Sequence, residues 1–205
     1  MRSEIIVIGD SGHAKVCIEL LRAMGQRIAY CVGVTDAETC LGIPVLRGDE
    51  HLARLRAQGY DQAFVAVGVN ATRRRLAAMV KNLGFRLVNA ISPQAVVSPS
   101  AHLGEGIAVM AGAVINADTV IGNLVIVNTG ACIDHDCHIG DAAHIAPTCG
   151  LAGNVAVGAE SFLGIGCKVI PGVSIGSEVV LGAGTVVIDN IPDKVRAVGV
   201  PARVI

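Results

Sequence analysis

The sequence predicts two joined architectures: a small α/β domain of Rossmann-like pattern over residues 1–90, then a parallel β-solenoid over 91–205. Two observations predict the solenoid. From Ile91 an aliphatic residue recurs at every sixth position through Val187, seventeen times without a slip. The fifth residue of each block is small or β-branched, as at Ala95, Ala113, Thr119, Cys137, Val155 and Thr185. A period of six fits neither a lone helix nor a flat hairpin sheet; it fits a short strand plus a turn, repeated. A third observation predicts the first domain: short apolar runs alternate with stretches of helical spacing.

The first domain is read in order. Ile5–Ile8 is an apolar run ending in Gly9 and reads as a buried strand. The turn GDSGHAK follows, then Val16–Met24 with helical spacing. Strand, Gly-containing turn and helix is the arrangement that aims backbone N–H groups at a phosphate, so Gly9, Ser11, Gly12 and His13 are candidates. The third Gly of a dinucleotide fingerprint is missing, and an ordinary tight turn is the alternative. Ile28–Val34 is a second strand, with Asp36 just past its end, placed for a ribose or base contact or else solvated. Gly42–Val45 reads as a short edge element, and Asp49 as the cap of a helix to Ala57. Ala63–Val67 is a third strand, followed by Gly68, Val69 and Asn70. Thr72–Asn82 has helical spacing; Arg73, Arg74 and Arg75 on it face either a phosphate or solvent. Phe85–Val88 closes the domain.

In the solenoid, three blocks make a coil of eighteen residues. Val109, Val127, Ile145, Leu163 and Leu181 then stack as one ladder, and Ile115, Ile133, Leu151, Val169 and Val187 as the next. Gly after many heads is expected to supply backbone freedom at the turn. Seventeen blocks amount to roughly 27 Å of solenoid at a strand spacing of about 4.8 Å. Ile191-Pro192-Asp193 breaks the register, and the tail 194–205 is expected to leave the last coil as an extra strand over the open end.

Composition supports this. The chain has no Trp, two Tyr and three Phe, which suits a narrow interior of Ile, Val, Leu, Ala and Cys. A net charge of −1 argues against a nucleic-acid binder working through a basic surface. Cys137, Cys149 and Cys167 fall on inward fifth positions and read as small buried hydrophobes, not a disulfide framework. The start MRSEIIVIGDSGHAK lacks a signal-peptide core, and the uncharged stretch 142–159 contains Pro147, His144 and Asn154, so neither export nor a membrane span is expected. A cytoplasmic setting is the expectation.

Chemistry concentrates in two blocks, IDHDCH and IGDAAH, headed by Ile133 and Ile139. Three of the six His lie there: His135, His138 and His144. His135 sits between Asp134 and Asp136, and a His beside a carboxylate is the arrangement of a general base. Both acids remain candidates for the partner. Two other readings stand beside it: solvated corner histidines, or metal ligands drawn from Asp134, His135, His138 and His144.

The segments GDSGHAK at 9–15, VNAISP at 88–93, VNTGACIDHDC at 127–137, LAGNV at 151–155, FLGIG at 162–166 and GVPAR at 199–203 resemble the sugar O- and N-acetyltransferases of the hexapeptide-repeat class. The resemblance is strongest to the branch that N-acetylates nucleotide-linked 4-amino sugars, the bacillosamine-pathway and GDP-perosamine types. It implies a left-handed β-helix and a homotrimer with active sites between neighbouring solenoids. It implies transfer of acetyl from acetyl-CoA to the 4-amino group of a 4-amino-4,6-dideoxy sugar nucleotide in surface-glycan biosynthesis, with no metal. His135 matches the base and Asp136 the acid that orients it. His144 and Asn128 match positions lining the acetyl and sugar sites. Gly153 matches an N–H donor to the thioester carbonyl. Ile165 and Ala183 match backbone contacts to the pantetheine arm, and Arg203 a contact to a coenzyme A phosphate. The 9–13 turn, Asp36, Gly68 and Asn70 match the nucleotide end. Val69 departs from the family pattern, where a polar residue is common. The alternatives are O-acetylation of a sialic-acid-like sugar, a zinc-dependent hydratase on the same solenoid, and a non-catalytic scaffold.

Overall fold

Ile5 to Ile8 are almost fully buried because their strand runs inside a six-stranded sheet. In this computed structural model, which describes residues 2–205, the chain divides after Pro93 into two units. The first contains β1 (Arg2–Ile8), α1 (Gly12–Ala23), β2 (Ile28–Gly33), β3 (Thr39–Cys40), β4 (Ile43–Arg47), α2 (His51–Ala57), β5 (Tyr60–Val65), α3 (Asn70–Asn82) and β6 (Arg86–Leu87). The sheet order is β3-β4-β2-β1-β5-β6, parallel except for the β3–β4 pair. Crossover helices on a parallel sheet explain why strand and helix patterns alternate in the sequence. Helix α1 buries Ala14, Cys17, Ile18 and Leu21, the i, i+3, i+4, i+7 stripe of an amphipathic helix.

Two local expectations change. The element at 43–47 is not an edge: β4 lies between β2 and the two-residue β3. Helix α2 begins at His51 with Glu50 in the cap position and no side-chain cap bond, so Asp49 does not cap it. Asp49 is thereby left free for another task.

The second unit is a left-handed parallel β-helix. Its two-residue strands pair in parallel at a stagger of eighteen, so the heads align as three ladders. Val109, Val127, Ile145, Leu163 and Leu181 form the first. Ile115, Ile133, Leu151, Val169 and Val187 form the second, and Leu103, Ile121, Ile139, Val157 and Ile175 the third. From Val109 onward every head is buried, each such side chain contributing about 1.5–3 kcal/mol by leaving water. The inward Thr and Ser donate to nearby carbonyls, as Ser161 Oγ does to Gly176 O at 2.6 Å, so no hydroxyl in the core goes unbonded there. Cys137, Cys149 and Cys167 are buried free thiols, as their inward positions require.

The glycine after the head has a different reason from the expected one. Positive φ falls on the fourth residue of the block: Asp118, Leu124, Gly130, Asp136, Ala142, Thr148 and Asn154 all lie between 55° and 64°. The second residue is Gly for space. A Cβ on Gly140 would come within 2.6 Å of Ala159 N, and one on Gly164 within 2.7 Å of Leu181 O. The tail also differs. Arg196–Val198 pairs in parallel with Val180–Leu181 and so prolongs the coil; only Arg203–Val204 turns back, antiparallel to it.

Candidate active site

The block IDHDCH occupies one corner of the coil. Its αL residue is Asp136, a conformation that Asp tolerates better than most side chains. That turn brings the Asp136 carboxylate back to its neighbour: Oδ2 lies 2.7 Å from His135 Nδ1. Asp134 is occupied otherwise. Its Oδ1 accepts the His135 N–H at 2.8 Å and Asn116 Nδ2 at 3.0 Å, and these bonds hold its carboxyl below the usual carboxylate range. Asp136 is therefore the acid in contact with the imidazole, and Asp134 fixes the backbone beneath it. Buried Thr119 fixes the same corner from the preceding coil: its hydroxyl donates to Asp134 O at 2.7 Å and accepts from Cys137 N at 3.2 Å.

With Nδ1–H directed at Asp136, Nε2 of His135 carries the lone pair. The ring is about half exposed. The Asp136 hydrogen bond, reinforced by the Asp134 charge, raises its pKa above the ordinary 6.5. It lies against the next coil at Gly153, where a Cβ would stand 2.6 Å from both Cε1 and Nε2. Among the described residues the amides of Gly153, Ile165 and Ala183 donate to no protein acceptor. Gly153 is buried, while Ile165 and Ala183 are exposed. An imidazole with a free nitrogen beside an undirected amide is chemically suited to a carbonyl under attack, and the outward amides to an extended amide-containing chain such as pantetheine.

His144 is buried, and its Nε2 lies 3.1 Å from Asn128 Nδ2. Asn128 Oδ1 accepts from Thr129 N at 2.8 Å, which sets the amide so that Nδ2 faces the ring. Phe162 meets the ring edge-on at 5.2 Å. The two residues singled out separately in the sequence are thus one pair. Among the described residues no group of three or more His, Cys, Asp or Glu side chains converges as a metal site, and His135, His138 and His144 lie on different strands or corners. Arg203 is exposed, its Nη1 bonded to Ala202 O.

In the first unit a cavity of about 260 Å³ opens at the carboxyl ends of β1, β2 and β5, where ligands of parallel α/β sheets bind. Gly9 and Ser11 line it; Gly12, His13, Asp36, Gly68 and Asn70 do not. Asp36 is exposed and paired with Arg47. Gly68 O and Asn70 Oδ1 both accept from Arg73 at 2.9 Å. Arg73 itself is 1% exposed, neither solvated nor aimed at the cavity. Burial, with the Arg73 charge second, pulls His13 down to about 4, so it is a neutral ring at pH 7. The cavity residues to which the sequence assigns no ligand role are Asp10, Thr35, Asp49 and Thr72. Asp10 is buried and accepts from Thr35 N at 2.9 Å and Thr35 Oγ1 at 2.6 Å, tying the β1–α1 turn to the end of β2. It leaves no room for a Cβ at Gly33. The signal for it was an acid in the centre of the GDSG turn.

Residues 4–80 match the PglD N-terminal domain family. The whole chain is similar to perosamine N-acetyltransferase from Caulobacter crescentus, solved as a His-to-Asn variant with CoA and GDP-perosamine. The identity is 51% and the TM-score 0.98, covering 100% of this chain and 98% of that one. It is similar to the acetyltransferase domain of PglB from Neisseria gonorrhoeae FA1090, solved with acetyl coenzyme A, at 39% identity and a TM-score of 0.92 over 100% of both chains. UDP-N-acetylbacillosamine N-acetyltransferase of Bacillus subtilis (strain 168) is 39% identical over 115 residues. That match spans 52% of this chain and 51% of the relative, about half of its length.

Proposed function

We infer the reaction from one premise: the chain belongs to the hexapeptide-repeat sugar N-acetyltransferases, with the perosamine and bacillosamine enzymes among its relatives. It is an acetyl-CoA-dependent N-acetyltransferase whose acceptor is the 4-amino group of a nucleotide-linked 4-amino-4,6-dideoxy sugar. The observation that carries the chemistry is the His135 ring, bonded at Nδ1 to Asp136 and lying with Nε2 over Gly153.

His135 Nε2 accepts the proton that the sugar amine gives up as its nitrogen attacks the thioester carbonyl. The C–N bond forms as the C–S bond breaks, and the thiolate leaves. Asp136 holds the tautomer and stabilises the imidazolium. The Gly153 N–H donates to the carbonyl oxygen as negative charge builds on it. Ile165 and Ala183 offer amides along the outside of the coil to the pantetheine arm, and Arg203 a cation to a coenzyme A phosphate. Asn128 and His144 border the acetyl and sugar sites. Gly9 and Ser11 meet the nucleotide phosphates. The working form in this reading is a homotrimer with the sites between solenoids, in keeping with the three flat faces of the coil. No described helix is long and apolar enough to cross a membrane, and this reading takes the protein to work in the cytoplasm.

The test is consumption of acetyl-CoA by the full chain with UDP-, dTDP- and GDP-linked 4-amino sugars, and with a free sialic-acid-type sugar in parallel. One nucleotide-linked amine should be acetylated on nitrogen. His135→Ala should lower kcat by roughly 10²–10⁴-fold while leaving the oligomer intact. Acetylation of the free sugar's hydroxyl in place of the amine would refute the reading.

A further inference from the structure

Two opposite charges line the nucleotide-end cavity, and neither is paired within the protein. Asp49 stands between β4 and α2; Arg75 stands one turn into α3. Among the described residues neither side chain makes an ion pair or a side-chain hydrogen bond. Asp49 is half-buried and is not used to cap α2. The neighbouring acid, Glu50, folds back against Gly48 and does not border this cavity. Asp49 and Arg75 also border a larger cavity between α2 and α3, which Glu50 lines as well without an ion pair to Arg75. A half-buried carboxylate that lines a cavity and is bonded to no protein donor is available to a ligand that brings donors of its own.

We propose that Asp49 and Arg75 read the base of the bound nucleotide and select guanine. The chemistry is specific. Guanine presents O6 and N7 as adjacent acceptors, which the guanidinium fork matches in bidentate fashion. On the next edge it presents N1–H and the 2-amino group, two parallel donors for one carboxylate. Uracil and thymine present a single N–H between two carbonyls, so a carboxylate there gains one bond and faces two like dipoles. The apolar walls at Val34, Val67 and Leu76 suit a flat ring. The turn at Gly9 and Ser11 borders the same cavity and is left for the diphosphate. Asp36, the acid expected to reach the nucleotide, is already paired with Arg47 outside it.

This assignment rests on the nucleotide-sugar reading above. Binding of GDP, inosine diphosphate and UDP to the full chain, measured by calorimetry, tests it. The wild type should hold GDP at least about ten-fold more tightly than UDP, and about five-fold or more above inosine diphosphate, which lacks only the 2-amino group. Asp49→Ala should bring GDP and inosine diphosphate to equal affinity. Arg75→Met, at an exposed position, should weaken GDP about ten-fold and leave UDP within about two-fold of wild type. A wild type that prefers UDP, or a 2-amino preference that survives Asp49→Ala, overturns the assignment while acetylation of another nucleotide-linked amine keeps the transferase reading. A wild type that binds none of the three overturns the assignment, and one that in addition acetylates no nucleotide-linked amine overturns both. Thermal melts of the variants establish that they are folded.

Discussion

The His135 imidazole lies so close to Gly153 that a Cβ there would stand 2.6 Å from Nε2. Gly153 does not have positive φ, so its backbone accepts alanine without strain. Gly153→Ala therefore separates placement of the ring from stability. The methyl must push the imidazole aside, and displacement of a catalytic group by about 1 Å costs on the order of 10²-fold. We expect kcat/KM to fall by about that factor with the Tm nearly unchanged. Wild-type turnover in this variant would show that the contact is incidental.

The Asp136 contact sets a pH dependence whose sign can be worked out. His135 must be neutral at Nε2 to act as a base, and its pKa is raised, first by the Asp136 hydrogen bond and then by the Asp134 charge. Activity should therefore rise with pH through an inflection above 6.5. Asp136→Asn keeps the shape, removes the charge and one cause of the shift, and should move that inflection to lower pH while lowering kcat. The profile of kcat/KM against pH for the two proteins checks this. An inflection that stays in place would assign the shift to Asp134 alone.

Thr119 offers a test of the corner that holds His135. Thr119→Val keeps the volume and removes the hydroxyl that bonds Asp134 O and Cys137 N. The Cys137 amide is then left buried without that acceptor, at a cost of about 1–3 kcal/mol. For a chain of this size the Tm should fall by about 2–4 °C per kcal/mol. Calorimetry reads the loss directly, and an unchanged Tm would mean that the corner closes up around the vacancy.

The solenoid was legible because each block repeats the same physical demand: a head that must face inward and a small residue beside it. Seventeen repetitions fix register and ladders without any long-range information. The role of glycine was not legible, because a sequence does not distinguish a residue needed for positive φ from one needed for space; only the stacked neighbour of Gly140 or Gly164 decides it. His135 stood out as an acid-flanked titratable group in a bland repeat, yet the choice between Asp134 and Asp136 required the αL turn. The α/β unit was read least well. Arg73 looks like Arg74 and Arg75 in a helical pattern, but burial makes it a clamp on the Val67 and Gly68 carbonyls. Asp10 and Asp49 are acids in loops, with no period to mark them.

His13 supplies a stability switch apart from catalysis. Burial, helped by the Arg73 charge, pulls its pKa down to about 4 from the ordinary 6.5. Above 6.5 the ring is neutral in both the folded and the unfolded chain, and it contributes nothing to the balance. As pH falls through 6.5 the unfolded chain takes up a proton that the folded chain refuses until about 4, so stability is lost across that window. The loss is no more than about 3.4 kcal/mol, and less to the extent that water reaches the ring. Thermal melts between pH 7.5 and 4.5 should therefore show a steeper decline for the wild type than for His13→Gln, which cannot titrate. Parallel declines in the two proteins would mean that the ring takes its proton inside the folded unit, and that Arg73 is screened from it.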